Sequence, residues 1–184
     1  MPTAVWVILI IIGVLLFYVA TTYNKLVSLR NKVRDQWAQI EVQLKRRFDL
    51  IPNLVETVKG YAKHEKETFE KVIKARNSFN EAKTPEDEMK ANNELSNGIT
   101  KIFALAESYP ELKADANFTK LQDELKETED KISYARQFYN DNVMAYQNKL
   151  EMFPSNIVAS IFRFKPEPFF AANEKERENV QVKF

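Results

Sequence analysis

From Tyr23 onward, apolar residues recur at helical spacing. Tyr23, Arg30, Trp37, Leu44 and Ile51 form one seven-residue row, with Leu26, Val33, Ile40 and Arg47 as its companion. The pattern predicts a helix whose mostly apolar face carries two arginines. Pro52 then lacks an amide proton and disfavours helical geometry at Ile51, while suiting the first position of a new helix. The favoured reading is a tight helix-to-helix corner at Pro52; a kinked continuous helix is the alternative. Downstream, Leu54, Tyr61, Thr68 and Ala75 pair with Val58, Glu65, Val72 and Phe79 as the face of a second helix, from Pro52 to about Glu81.

Thr84-Pro85-Glu86-Asp87 starts a third helix: a hydroxyl cap, proline at the first position and acids near the positive end of the dipole. It runs to about Ser108, burying Met89, Leu95, Ile99, Ile102, Phe103 and Ala106. Tyr109-Pro110 ends it, and Asn117 is the expected cap of a fourth. There Phe118, Leu125, Ile132, Tyr139, Tyr146 and Phe153 repeat every seven residues, beside Leu121, Thr128, Ala135 and Asn142. Pro154 stops this helix, Ile157 to Phe162 adds one turn, and a tail follows. Four amphipathic helices with short connections predict an all-α fold, an antiparallel four-helix bundle over residues 23–163 with a tail over 164–184. The fourth helix also has the repeat of a coiled coil.

The segment before these helices is uncharged from Ala4 to Ala20, and Thr21, Thr22 and Tyr23 extend it. A helix of about 20 residues crosses a hydrocarbon core of about 30 Å. Trp6 near one end, with Tyr18 and Tyr23 near the other, suits an aromatic belt. The segment has no polar stripe, unlike a core helix. Pro2, Thr3 and the bulky Tyr18 fit poorly with a cleaved signal peptide. Residues 1–22 therefore read as a retained transmembrane anchor, continuous with the first soluble helix. Lys25, Arg30, Lys32 and Arg34 follow the span and no Lys or Arg precedes it. The positive-inside rule then places the N-terminus outside and the body in the cytoplasm.

Composition narrows the chemistry. The 184 residues carry a net charge of +1 and no cysteine. Bulk attraction for nucleic acid is absent, as are disulfides, thiolate nucleophiles and thiolate metal sites. Only three glycines occur, which favours long helices over sheet. His64 beside Glu65 is the only histidine, so neither a paired-histidine zinc helix nor a diiron bundle is available. It reads as a half-exposed helix residue. Asp123, Glu124, Glu127, Glu129 and Asp130 alternate with Lys120, Lys126 and Lys131, as on a solvated, salt-bridged helix face. There is no phosphate loop, nucleophile elbow or nucleotide fingerprint, and no catalytic, cofactor or metal residue is expected.

Polar residues near Pro52 are the candidate interaction set: Arg46, Arg47, Asp49, Pro52 and Glu56. With a corner at Pro52, Arg46 or Arg47 would pair with Glu56, and Asp49 would accept amide protons of the second helix. Arg47 falls on the inward row, which favours an internal partner over lipid. In the tail, Phe162, Phe164, Pro166, Pro168, Phe169 and Phe170 give way to Val180, Val182 and Phe184 at alternate positions. A strap packed in a groove is the favoured reading, with a docking peptide as the alternative.

QLKRRFDLIPNLVETVKGYAKHE from Gln43, AESYPELKADANF from Ala106, TEDKISYARQFYND from Thr128 and FPSN from Phe153 together resemble the ordered blocks of the LemA family of bacterial membrane-associated proteins. The resemblance spans nearly the whole chain. It implies a bacterial protein with one N-terminal anchor and a four-helix bundle, for which no reaction is established. Some relatives carry a lipoprotein cysteine where this chain has a span, and one branch is associated with magnetosome membranes. The expected function is a membrane-anchored, non-enzymatic scaffold or interaction module of the bacterial cell envelope. The alternatives are a membrane-shaping or lipid-binding protein and an adaptor for an envelope protease. The expected partners are the membrane and an unidentified protein, with self-association left open and nucleic acid excluded.

Overall fold

A computed structural model of the chain describes residues 3–62 and 64–170. Val180, Val182 and Phe184, the far end of the expected tail, lie outside the described residues. Among the described residues six helices follow one another: α1 (Thr3–Tyr61), α2 (Lys66–Glu81), α3 (Pro85–Ala106), α4 (Pro110–Lys113), α5 (Ala116–Glu151) and α6 (Ser155–Ile161). No strand occurs among the described residues. The N-terminal part of α1 is long and apolar enough to cross a membrane, with a window of mean hydropathy 2.7 that buries nothing against the protein.

The expected corner at Pro52 is not formed, because α1 continues through it to Tyr61. An interior proline removes one backbone hydrogen bond and costs about 3 kcal/mol. Around it Ile51, Leu54, Val55 and Val58 are all buried, and each apolar side chain of that size contributes about 1.5–3 kcal/mol on burial. The flanking burial outweighs the lost bond. Pro52 itself faces outward. The chain turns instead just after Tyr61, where Ala62 N–H donates to Val58 O (2.9 Å) and Glu65 N–H to Ala62 O (3.2 Å).

Other boundaries follow their caps. Thr84 Oγ1 accepts the Asp87 amide at 3.2 Å, with Pro85 in the first turn of α3. The start of α5 is held by Asp115 rather than the expected Asn117: the Asp115 carboxylate accepts the Phe118 amide at 2.9 Å. The heptad row of α5 is buried at Phe118, Leu125, Ile132, Tyr139 and Tyr146, but its last expected member, Phe153, lies beyond the helix end and is 79% exposed.

The chain forms two compact units, with α1 and α5 contributing to each. In the unit built from residues up to Ala38 and Gln137–Phe169, Leu26, Leu29 and Val33 of α1, Tyr139, Val143 and Tyr146 of α5, and Val158 and Ala159 of α6 are buried. The Trp37 and Tyr139 rings meet edge-on at 5.5 Å. The segment just after α6, Phe162 to Pro168, packs as a strap on this unit. Phe162 and Phe164 lie 4.8 and 5.6 Å from the Tyr23 ring, and Arg30 sits over Phe164. Further along, Tyr139 Oη donates to Pro168 O and Gln147 Nε2 to Glu167 O, both at 2.8 Å.

The other unit comprises Gln39–Arg136 with Phe170. Its core joins Ile51, Leu54, Val55 and Val58 of α1 to Phe69, Val72 and Ala75 of α2, to Leu95, Ile99 and Ile102 of α3, and to Phe118 and Leu125 of α5. Leu112 of α4 closes one part of it.

Candidate functional site

The most demanding residue in this second unit is a buried arginine. The inward face of α1 that carries Leu44 and Ile51 also carries Arg47, in the companion row, only 3% exposed. Its guanidinium donates to Asn92 Oδ1 at 3.0 Å and to Ser96 Oγ at 2.9 Å. These two stand one turn apart on α3, and the Ser96 hydroxyl in turn donates to the Asn92 carbonyl (3.1 Å). From α5, the Glu129 carboxylate forms an ion pair with Arg47 at 2.7 Å. Three helices thus converge on one cation.

The electrostatics follow from that placement. Burial lowers the Arg47 pKa and Glu129 opposes the shift; the group stays cationic, as arginine does across physiological pH. A buried cation without partners is strongly disfavoured, so a carbonyl, a hydroxyl and a carboxylate share the work of replacing water. Glu129 is half-exposed and opens the network to solvent. There, an open cleft of about 400 Å³ is lined by Arg47, Ser96, Thr100, Phe103, Gln122 and Glu129, among others. Such a lining can bind or orient a small polar group, since it offers hydroxyls, an amide and an ion pair beside an aromatic wall.

The candidate residues separate in the structure. Arg46 reaches Glu127 at 3.9 Å on the surface, and Glu127 also pairs with Lys131. Asp49 pairs with Lys45 one turn back (3.2 Å), so it caps no helix. Glu56 pairs with Lys59 (3.1 Å) and faces solvent. The expected pairing of Arg46 or Arg47 with Glu56 is therefore replaced by partners on α3 and α5. On a continuous helix, position 56 lies about 13 Å of rise beyond position 47, too far for that contact. His64 is exposed in the turn between α1 and α2, not on a helix. Among the described residues, no group of three or more His, Asp or Glu side chains is placed to hold a metal ion.

Sequence reasoning missed Asn92, Ser96 and Glu129 as partners of Arg47, although each carried a signal. Asn92 lies three residues from both Met89 and Leu95, inside the apolar row of α3, and Ser96 is one turn on. Glu129 lies four residues after Leu125 and three before Ile132, on the inward side of an otherwise solvated acidic run. A polar residue inside an apolar row requires a buried partner.

The LemA family model matches residues 36–184, a stretch that contains Arg47, its three partners and the cleft. Protein LemA of Metamycoplasma hominis is 26% identical over 174 residues, covering 93% of this chain and 78% of that protein. Magnetosome proteins MamQ 1 and MamQ 2 of Paramagnetospirillum magneticum are each 24% identical, over 80% of this chain and 64% of theirs. The chain thus spans less than two thirds of the length of those two relatives. With the family model running from Gln36 through the last helix, the chain belongs to the LemA family.

Proposed function

We propose that the chain is a membrane-anchored, non-enzymatic helical scaffold of the bacterial cell envelope, its helices after the span forming an antiparallel four-helix bundle that presents surfaces to a protein partner. The observation that carries this reading is that the apolar span and the inward row bearing Arg47 belong to one continuous helix, Thr3–Tyr61. Arg47 draws Asn92 and Ser96 of α3 and Glu129 of α5 onto one guanidinium, while its buried Nε has no hydrogen-bond partner among the described residues. A cation shared by three helices restricts how they can pack. Four basic residues after the span support a cytoplasmic body and an outside N-terminus.

The test uses the full chain in its native membrane. Retention in the membrane through an alkaline wash, with a reproducible crosslinked protein species of defined mass, is the expected result. Recovery in the soluble fraction overturns the anchor, and crosslinks to lipid alone favour the second reading. That second reading, a lipid-binding or membrane-shaping protein, draws on the two relatives named as magnetosome proteins. Orientation is tested separately by placing a single cysteine at exposed Lys101 and applying a membrane-impermeant thiol reagent to intact cells. Protection until lysis is expected; strong labelling beforehand reverses the orientation.

A further inference from the structure

An amphipathic surface helix normally hides its apolar residues and shows its polar ones. Helix α6 is apolar on both sides. Val158 and Ala159 face inward and are buried with Ser155, while Ile157 and Ile161, one turn apart, share the outer face. On either side of α6, Met152, Phe153 and Phe162 are exposed as well, so five large apolar side chains lie in one short stretch of chain. A cluster of this kind is uncommon on a protein surface that meets only water.

The position of this stretch in its unit identifies what covers it. Trp37 of α1 meets Tyr139 of α5, and Tyr146 feels the charges of Arg30 and Arg34, so here the two helices run antiparallel. Going fourteen residues back along α1 from Trp37 reaches Tyr23, and fourteen forward along the chain from Tyr139 reaches Phe153. The first distance is about 21 Å of helical rise, and the second is about 18 Å to the end of α5 at Glu151, with Phe153 two residues beyond. The ring contact between Tyr23 and Phe162 at 4.8 Å closes the same level independently. Tyr23 is the residue at which the uncharged span gives way to polar chain. The outward apolar residues of α6 therefore lie level with the end of the membrane span. Exposed cations stand near both in sequence: Lys25 two residues after Tyr23, and Arg163 and Lys165 just after α6.

We propose that α6 and its flanks, Met152 to Phe162, form a second membrane contact that lies in the interfacial layer of the same bilayer the span crosses. Ile157 and Ile161 enter the acyl boundary, and Arg163, Lys165 and Lys25 meet anionic headgroups. Interfacial helices are built this way, with an apolar face against lipid and basic residues at the headgroups. The partner is the lipid bilayer itself. Because the proposal rests on the span being a membrane anchor, its test includes a residue inside the span.

The experiment places one nitroxide at a time in the cysteine-free full chain, reconstituted into vesicles of zwitterionic and anionic phospholipid. The sites are Ile157→Cys, Ile161→Cys, Leu16→Cys within the span and Lys101→Cys on α3. The readout is the ratio of collision rates with oxygen and with a water-soluble nickel chelate. Ratios at positions 157 and 161 should be several-fold above that at 101 and below that at 16. If 16 reads as membrane-buried while 157 and 161 match 101, the interfacial contact is overturned. If 16 itself reads as aqueous, the anchor is the part that has failed. Spin–spin broadening at 157 and 161 that disappears on dilution with unlabelled chain would assign the face to a second copy and overturn the lipid assignment.

Discussion

The guanidinium of Arg47 and the carboxylate of Glu129 lie 2.7 Å apart, with side-chain exposures of 4% and 42%. The asymmetry decides how the pair responds to mutation. Removing Glu129 leaves a buried cation held only by Asn92 and Ser96. Replacing Arg47 with an apolar side chain removes the cation and leaves a carboxylate that can turn to water. Glu129→Ala is expected to cost about 1–3 kcal/mol, and Arg47→Met to cost less or to be neutral. The double variant should lose less than the sum. Urea unfolding of all four forms checks this, and additive losses would dissociate the pair.

Glu56 gives the opposite expectation. It faces solvent and, among the described residues, pairs only with Lys59, so Glu56→Ala should change stability by under about 0.5 kcal/mol. Combined with Arg47→Met, its effect should simply add, since distant sites with no shared partner do not couple. A coupling above about 0.5 kcal/mol in that cycle would restore the corner that Pro52 suggests.

The contrast between these two carboxylates shows what the residue pattern carried. The inward row of α1, the Thr84 cap, the start of α3, the short α6 and the strap were all legible, because each depends on residues close together in sequence. The turn after Tyr61 was not. Val58 and Ala62 are buried before it, and Phe69, Val72 and Ala75 after it. Those spacings stay in helical phase across the break, so periodicity shows no interruption. Pro52, the conspicuous breaker, is instead retained within a helix by the packing on either side. The Arg47 site was half legible: an inward arginine announces a partner, but which carboxylate supplies it depends on how the helices pack. Nothing local to Arg47 distinguishes Glu129 from Glu56.

Acid should act through Asp115. Its carboxyl is held below the usual 3.8, first by the Phe118 amide and then by the Tyr61 hydroxyl, which donates at 2.8 Å. A depressed folded-state pKa means stability that is fully present above the unfolded value and is lost as pH falls through the folded one. Wild-type protein should therefore lose melting temperature relative to Asp115→Ala as pH drops below about 4. Near neutrality the variant should melt lower. Parallel melting curves across that range would show that the cap carries no charge-dependent stability.

Alkali should act through the strap. Burial, and then the charge of Glu167, pushes the Tyr139 phenol up to about 12. Here the folded pKa exceeds the unfolded one, so the contribution is complete below about 10 and is lost as pH rises through the folded value. Tyr139→Phe removes the donor to Pro168 O and should cost about 1 kcal/mol, while flattening the alkaline limb of the stability curve. It should also quicken tryptic cleavage after exposed Arg163, at the start of the strap. Unchanged cleavage there would mean that the strap is held without this bond.

Two glycines in helices give a matched pair with opposite expected signs. Glycine inside a helix is less favourable than alanine by about 0.5–1 kcal/mol. A methyl group at Gly60 meets nothing within 4 Å, so Gly60→Ala should stabilise by up to that amount. At Gly98 the same methyl would lie 2.8 Å from Val72 Cγ2, where α2 packs on α3. Val72 is fully buried, and a β-branched side chain has little freedom to turn aside. Overpacking of this kind costs about 1–3 kcal/mol, which exceeds the gain in propensity, so Gly98→Ala should destabilise. Adding Val72→Ala removes the clashing methyl and should recover part of the loss, giving a double variant more stable than the sum of the two single changes predicts. Thermal melts of the four chains decide it. A stabilised Gly98→Ala, or a double variant with additive losses, would mean that α2 and α3 do not approach closely at this glycine.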